Sequence, residues 1–131
     1  MYSSKNHCKF YLKAHVIFAT KYRRTILVGN VGLQTKNIMF DISNESDFEI
    51  EDMEIDKNHI HLLISYSPSY SISQIVNRLK SLSTNRIWKS HENILRKYYW
   101  YRNLFWSDGY FVCSIGEANP NTIKQYILTQ G

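Results

Sequence analysis

The sequence predicts an α+β protein: a ferredoxin-like antiparallel sheet with helices on one face and one extra C-terminal helix. Three observations lead there. Hydrophobic periodicity alternates between the strand and helix repeats in the order strand, helix, strand, strand, helix, strand, helix. The turn Asp56-Lys57-Asn58 joins two alternating runs that should pair as an antiparallel hairpin. No internal repeat, low-complexity segment or linker divides the 131 residues, so residues 1–131 are expected to form one domain with a two-layer core.

The elements follow in order. Phe10 to Ala19 reads as a first strand, and Lys21-Tyr22-Arg23-Arg24 as a basic turn after it. From about Leu27 to Ser43, Val31, Ile38, Met39 and Ile42 fall roughly on one helical face, with Gly29 and Gly32 weakening the start. Phe48 to Ile55 sets Phe48, Ile50 and Met53 against acids and reads as a second strand. His59 to Tyr66 is the third. Ser67-Pro68-Ser69-Tyr70-Ser71 is a loop, and Ser71 is a suitable N-cap for the clearest helix. Its apolar stripe is Ile72, Ile75, Val76, Leu79 and Leu82, with Arg78, Lys80, Asn85, Arg86 and Lys89 largely off it. Aromatics crowd Tyr98-Tyr99-Trp100-Tyr101 and Phe105-Trp106. Tyr110 to Ile115 reads as a final strand. Pro120 sits at a first helical position, ahead of a helix carrying Ile123, Tyr126, Ile127 and Gln130.

Composition narrows the partners. Sixteen Lys and Arg against 11 Asp and Glu leave a net charge of +5, and aromatics make up 15% of the chain, ten of them Tyr. Such a balance suits single-stranded nucleic acid, because cations meet phosphates and flat rings stack on unpaired bases at roughly 1–3 kcal/mol each. It also fits an unspecialised basic surface. Cys8 and Cys113 lie far apart and form no disulfide framework or Cys-based zinc pattern; Cys113, in an apolar run, is expected to be a buried thiol. With no apolar signal segment and no stretch long enough to span a bilayer, a cytoplasmic protein is expected.

His59-Ile60-His61 is the most informative feature. Strand side chains alternate, so both imidazoles share one face while Ile60 points into a core. Two neutral imidazoles on a rigid strand make two-thirds of a facial metal site. Tyr126 and Gln130, four apart, stack on one face of the last helix. A Gln oxygen beside two imidazoles gives an open N,N,O set, better suited to Mg²⁺ or Mn²⁺ holding a phosphate than to a closed structural Zn²⁺. These residues by themselves also fit a plainer arrangement, with Tyr126 packed on the sheet and Gln130 solvated.

Four stretches in this order resemble one family. They are Lys21-Tyr22-Arg23-Arg24; Asn58-His59-Ile60-His61-Leu62-Leu63-Ile64; Phe105-Trp106-Ser107-Asp108-Gly109-Tyr110-Phe111-Val112; and Val112 to Gly116 followed by Gln125-Tyr126-Ile127-Leu128-Thr129-Gln130. Nearly the whole chain resembles the single-tyrosine HUH transposases of small bacterial insertion sequences that move as single-stranded DNA, the superfamily of the REP-associated tyrosine transposases. Asn58 stands where that family commonly has Asp.

The resemblance implies a mechanism. Tyr126 would attack a DNA phosphodiester, leaving a 3′-hydroxyl and a 5′-phosphotyrosine, while His59, His61 and Gln130 hold Mg²⁺ or Mn²⁺. No dedicated base is visible, and His15 is expected to serve packing. The implied partner is single-stranded DNA with hairpin ends, bound by a homodimer; no membrane or small-molecule substrate is implied. Lys21, Arg23 and Arg24 are expected on phosphates and Tyr70 on an unpaired hairpin base, with Arg78, Lys80 and Arg86 as weaker contacts. The aromatics from Tyr98 to Trp106 are expected in the core or a dimer interface. Two alternatives share much of this pattern: a catalytically silent ferredoxin-like binder of single-stranded nucleic acid, and a domesticated relative that processes repetitive hairpins.

Overall fold

The computed structural model describes residues 12–114 and Leu128. The elements are β1 (Leu12–Ala19), α1 (Gly29–Asn44), β2 (Phe48–Asp56), β3 (His59–Tyr66), α2 (Ile72–Leu95) and β4 (Phe111–Ser114). The four strands form one antiparallel sheet in the order β2-β3-β1-β4. This is the expected ferredoxin-like order: α1 carries the chain from β1 to β2, and β3 returns to fill the gap between them. Leu128 is helical, and the rest of the C-terminal helix expected after Pro120 lies outside the described residues. No helix among the described residues is long and apolar enough to cross a membrane.

Alternation along the strands separates two faces. Ile60, Leu62 and Ile64 of β3, with Val16 and Phe18 of β1, are fully buried beneath α1 and α2. His59, His61 and Leu63 point to the other face. On β2, Phe48, Ile50 and Met53 all reach the core, although Ile50 and Met53 are three apart. A bulge between Ile50 and Asp52 absorbs the extra residue, Glu51. The Glu51 carboxylate accepts hydrogen bonds from Lys13 Nζ at 3.1 Å and from the Ser65 hydroxyl, tying β2 to β1 and β3.

The glycines of α1 seat the helix rather than only weakening it. Gly29 starts it with a φ of 55°, in the left-handed region that glycine enters without steric cost. At Gly32 a Cβ would lie 2.8 Å from the Leu27 carbonyl oxygen, so the bare backbone allows the preceding chain to pack closely.

α2 opens with a capping box: Ser71 Oγ accepts from the Gln74 amide at 3.1 Å, and Gln74 Oε1 accepts from the Ser71 amide at 2.9 Å. Its buried stripe continues past Leu79 through Ser83, Ile87 and Trp88, and the helix kinks at His91. Ser83 is polar within this stripe because its hydroxyl accepts the indole N–H of Trp106 at 2.9 Å. The Trp88 indole donates to the Leu104 carbonyl at 3.0 Å. The aromatic run therefore divides. Tyr99, Phe105 and Trp106 are buried, whereas Trp100 and Tyr101 are 75% and 60% exposed. Cys113, expected buried, is half-buried on β4, an edge strand among the described residues.

Candidate active site

β3 has a hydrogen-bonded strand on each side, so the ladder fixes the backbone beneath His59 and His61. His59 lies opposite Ala19 of β1 and Asp56 of β2; His61 lies opposite Ile17 and Glu54. A cleft of about 350 Å³ opens there, lined by Glu54, Ile55, Asp56, His59 and His61. Burial pushes both imidazole pKa values below the ordinary histidine range. The positive charge of Arg23 adds to the shift at His59 while Asp56 opposes it. His15 and His59 add to it at His61, against Glu54 and Asp52. Both rings are therefore neutral at pH 7, the form that ligates a metal.

Neighbours orient the rings. His59 Nδ1 is 3.1 Å from Asn58 Oδ1, which can only accept, so Nδ1 carries the proton and Nε2 keeps a lone pair. Asn58 thus holds the ring as a carboxylate would. His61 Nε2 is 2.9 Å from His15 Nδ1, and His61 Nδ1 is 3.8 Å from Glu54 Oε1. His15, expected to serve packing, therefore meets a site histidine; its place on the same strand face, two residues from Ile17, is the only sequence signal for this. Among the described residues no three His, Cys, Asp or Glu side chains cluster to hold a metal. His59 has its Nε2 free to donate to a divalent cation, whereas His61, with Nε2 engaged by His15, offers Nδ1 only when Nε2 carries the proton.

The basic turn is built against this strand. Tyr22 and Arg23 have φ of 58° and 52°, left-handed values that cost a side-chain-bearing residue on the order of 1–2 kcal/mol each. Surrounding contacts impose the conformation. The Thr20 amide donates to the Asn58 carbonyl at 2.9 Å, and the Lys21 amide to the Phe105 carbonyl at 2.8 Å. Thr20 Oγ1 donates to the Arg24 carbonyl at 2.7 Å, and the buried Tyr99 hydroxyl to the Lys21 carbonyl at 2.8 Å. Burial raises the Tyr99 pKa, so its phenol remains a donor. Nothing in the sequence distinguishes Tyr99 from its aromatic neighbours as the residue that closes this turn.

The expected DNA contacts fall into two groups. Lys21, Arg23 and Arg24 share the turn beside His59. Lys21 Nζ lies 3.6 Å from Asp108, an exposed partner. Lys21 and Arg24 both approach the Tyr22 ring, at 5.5 and 5.8 Å. Arg23 Nη1 donates to the Leu128 carbonyl at 3.0 Å, bringing that residue of the last helix to the turn. Tyr70 and Arg78 lie toward the opposite end of β3. Tyr70 sets its edge against Phe48 at 6.2 Å, and Phe48 pairs with Tyr66 there. Arg78 Nε donates to Ser46 Oγ at 2.7 Å. Arg86 forks onto Glu45 at 2.7 and 3.1 Å, and Lys80 Nζ donates to the carbonyls of Ser107 and Gly109. Tyr126 and Gln130 lie outside the described residues; Leu128 stands midway between them in sequence.

Known proteins resemble this chain in sequence and in fold. The family model described as "Transposase IS200 like" matches residues 8–130. The ISDra2 transposase TnpA of Deinococcus radiodurans is 33% identical over 121 residues, which cover 92% of this chain and 85% of that protein. The transposase for insertion sequence element IS200 of Salmonella typhimurium is 30% identical over 125 residues, covering 95% and 80%. A crystal structure of a candidate transposase from D. radiodurans superposes with a TM-score of 0.83 at 28% identity, covering 99% of this chain and 98% of that one. A REP-associated tyrosine transposase, solved bound to a REP hairpin, shares the fold at a TM-score of 0.57 and 13% identity, over 88% of this chain and 62% of its own. With its His-Ile-His strand set beside a clamped basic turn on a ferredoxin-like sheet, and matched along nearly its whole length, the chain belongs to the IS200-like transposase family.

Proposed function

We propose that this transposase cuts and rejoins single-stranded DNA at the ends of an insertion sequence through a 5′-phosphotyrosine on Tyr126. The carrying observation is two strand histidines that open on one cleft, beside a basic turn that holds Leu128, two residues from both Tyr126 and Gln130. In the cutting step the Tyr126 oxygen bonds to phosphorus and the 3′-oxygen leaves as a hydroxyl. The phenolic proton passes to solvent. A 3′-hydroxyl from another strand end reverses the step, so no ATP is consumed.

His59, His61 and Gln130 would hold Mg²⁺ or Mn²⁺, which would polarise the scissile phosphate and stabilise developing charge. Asn58 and His15 orient the two rings, and the low pKa of each ring keeps protons from competing for the ligand nitrogens. Lys21, Arg23 and Arg24 neutralise phosphates next to the cut, so affinity should fall steeply with salt. Tyr70 and Arg78 are the more distant contacts, suited to a hairpin that extends along β3. A homodimer would bring two such sites to the two element ends.

The test uses labelled hairpins with single-stranded tails, incubated with protein and Mg²⁺ or Mn²⁺ and then denatured. A protein-linked label that disappears with EDTA and with Tyr126→Phe is the expected result. Cutting retained by Tyr126→Phe would overturn the nucleophile. Tight hairpin binding without any adduct would mark the chain as a silent binder.

A further inference from the structure

We infer that Tyr22 and Trp100 form a stacking platform for one unpaired base of the single-stranded DNA beside the cut. This inference rests on the reading that the protein binds such DNA. The two rings lie 5.8 Å apart and within 20° of parallel. Trp100 is 75% exposed and Tyr22 47%. Tyr22 is backed by the buried Tyr99 at 6.5 Å, so the stack is anchored from within. An indole left this open on a clamped surface is a costly exposure unless something covers it.

The chemistry around the rings selects the occupant. Lys21 and Arg24 sit at 5.5 and 5.8 Å from the Tyr22 ring, and Arg23 adjoins it in the same turn. Lys97 and Arg102 flank Trp100 in sequence. Flat rings with cations beside them suit a base attached to a phosphate backbone better than an apolar protein surface. Inside a duplex both faces of each base are covered by stacked neighbours, so a base of the single-stranded tail fits the platform and an internal paired base does not. The turn that presents Tyr22 is fastened by the Asn58 and Phe105 carbonyls and the Tyr99 hydroxyl, so the ring is held in a fixed place.

The test measures equilibrium binding of a tailed hairpin and of the same hairpin with blunt ends. Trp100→Ala should weaken the tailed DNA roughly ten-fold and leave the blunt hairpin unchanged, while Trp100→Phe keeps most of the affinity. An abasic site moved along the tail should reproduce the loss at one position in the wild-type protein and add nothing in Trp100→Ala. Unchanged affinity for the tail, or an equal loss on blunt DNA, would overturn the platform. So would sedimentation showing that Trp100→Ala turns a dimer into a monomer, because the surface would then belong to a second copy. Wild-type protein that binds neither DNA would sink the DNA-binding reading along with the platform. Wild-type binding with an indifferent Trp100 would sink the platform alone.

Discussion

Arg23 offers a comparison in which backbone and side chain can be separated. Arg23→Gly and Arg23→Ala both delete the guanidinium, its hydrogen bond to Leu128 and its charge beside His59. They differ by one methyl group on a residue held at a φ of 52°. In an ordinary loop the Ala variant would be the more stable by about 0.4–1 kcal/mol, because glycine leaves the unfolded chain freer. In the left-handed region the added Cβ costs about 1–2 kcal/mol. The order therefore reverses, and Arg23→Gly should be the more stable by roughly 0.5–1 kcal/mol. In a chain of this size that is a melting-temperature gap of about 2–4 °C. Urea unfolding followed by tryptophan fluorescence reads the difference, provided the two denaturant slopes agree. An Ala variant as stable as the Gly variant would refute the left-handed turn. DNA affinity should fall equally in both, since the lost cation is common to them.

Three further outcomes follow from contacts elsewhere. Gly32→Ala should cost about 1–3 kcal/mol in thermal melts, because its methyl would meet the Leu27 carbonyl and the backbone must shift. Tyr99→Phe should cost only about 0.5–1.5 kcal/mol. The two carbonyls that its hydroxyl serves each keep a backbone donor, Arg24 N–H on Lys21 and Lys21 N–H on Phe105, and a much larger loss by urea titration would contradict this. Burial lowers the Lys80 pKa to about 8, against an unfolded value near 10.4. The unfolded chain then binds the proton more tightly, so stability should rise between pH 8 and 10 relative to Lys80→Met. Partial exposure limits the gain to about 1 kcal/mol, and parallel stability curves for the two proteins would contradict the shift.

Much of the fold is legible in the sequence because alternation against a buried layer is a strong signal. It marks β1, β2 and β3 to within about two residues and places both histidines on one face. The spacing of Ile50 and Met53 contains the bulge, but only the register with β3 makes the extra residue visible. The stripe of α2 fades at Ser83, a polar residue whose partner, Trp106, lies 23 positions away. The same limit governs the site. Lys21, Arg23 and Arg24 are plain as cations, while their left-handed turn depends on Asn58, Tyr99 and Phe105. Lys80 sits off the apolar stripe like a surface lysine, yet the carbonyls of Ser107 and Gly109 draw it inward. Sequence reports periodicity along one element well; it does not report which distant carbonyl an amine or hydroxyl will find.

The clamp on the basic turn also orders events during synthesis of the chain. Residues 20–24 emerge from the ribosome early, but two of their fastenings are the Phe105 carbonyl and the Tyr99 hydroxyl. A nascent chain that has made β1, α1 and the β2–β3 hairpin already carries every cation of the turn and its Asn58 contact, but lacks the Tyr99 and Phe105 contacts. The turn would then be only partly fastened until the aromatic stretch has been added and folded back. On the proposed function, the turn would take its DNA-binding form only once the sheet and both long helices are in place.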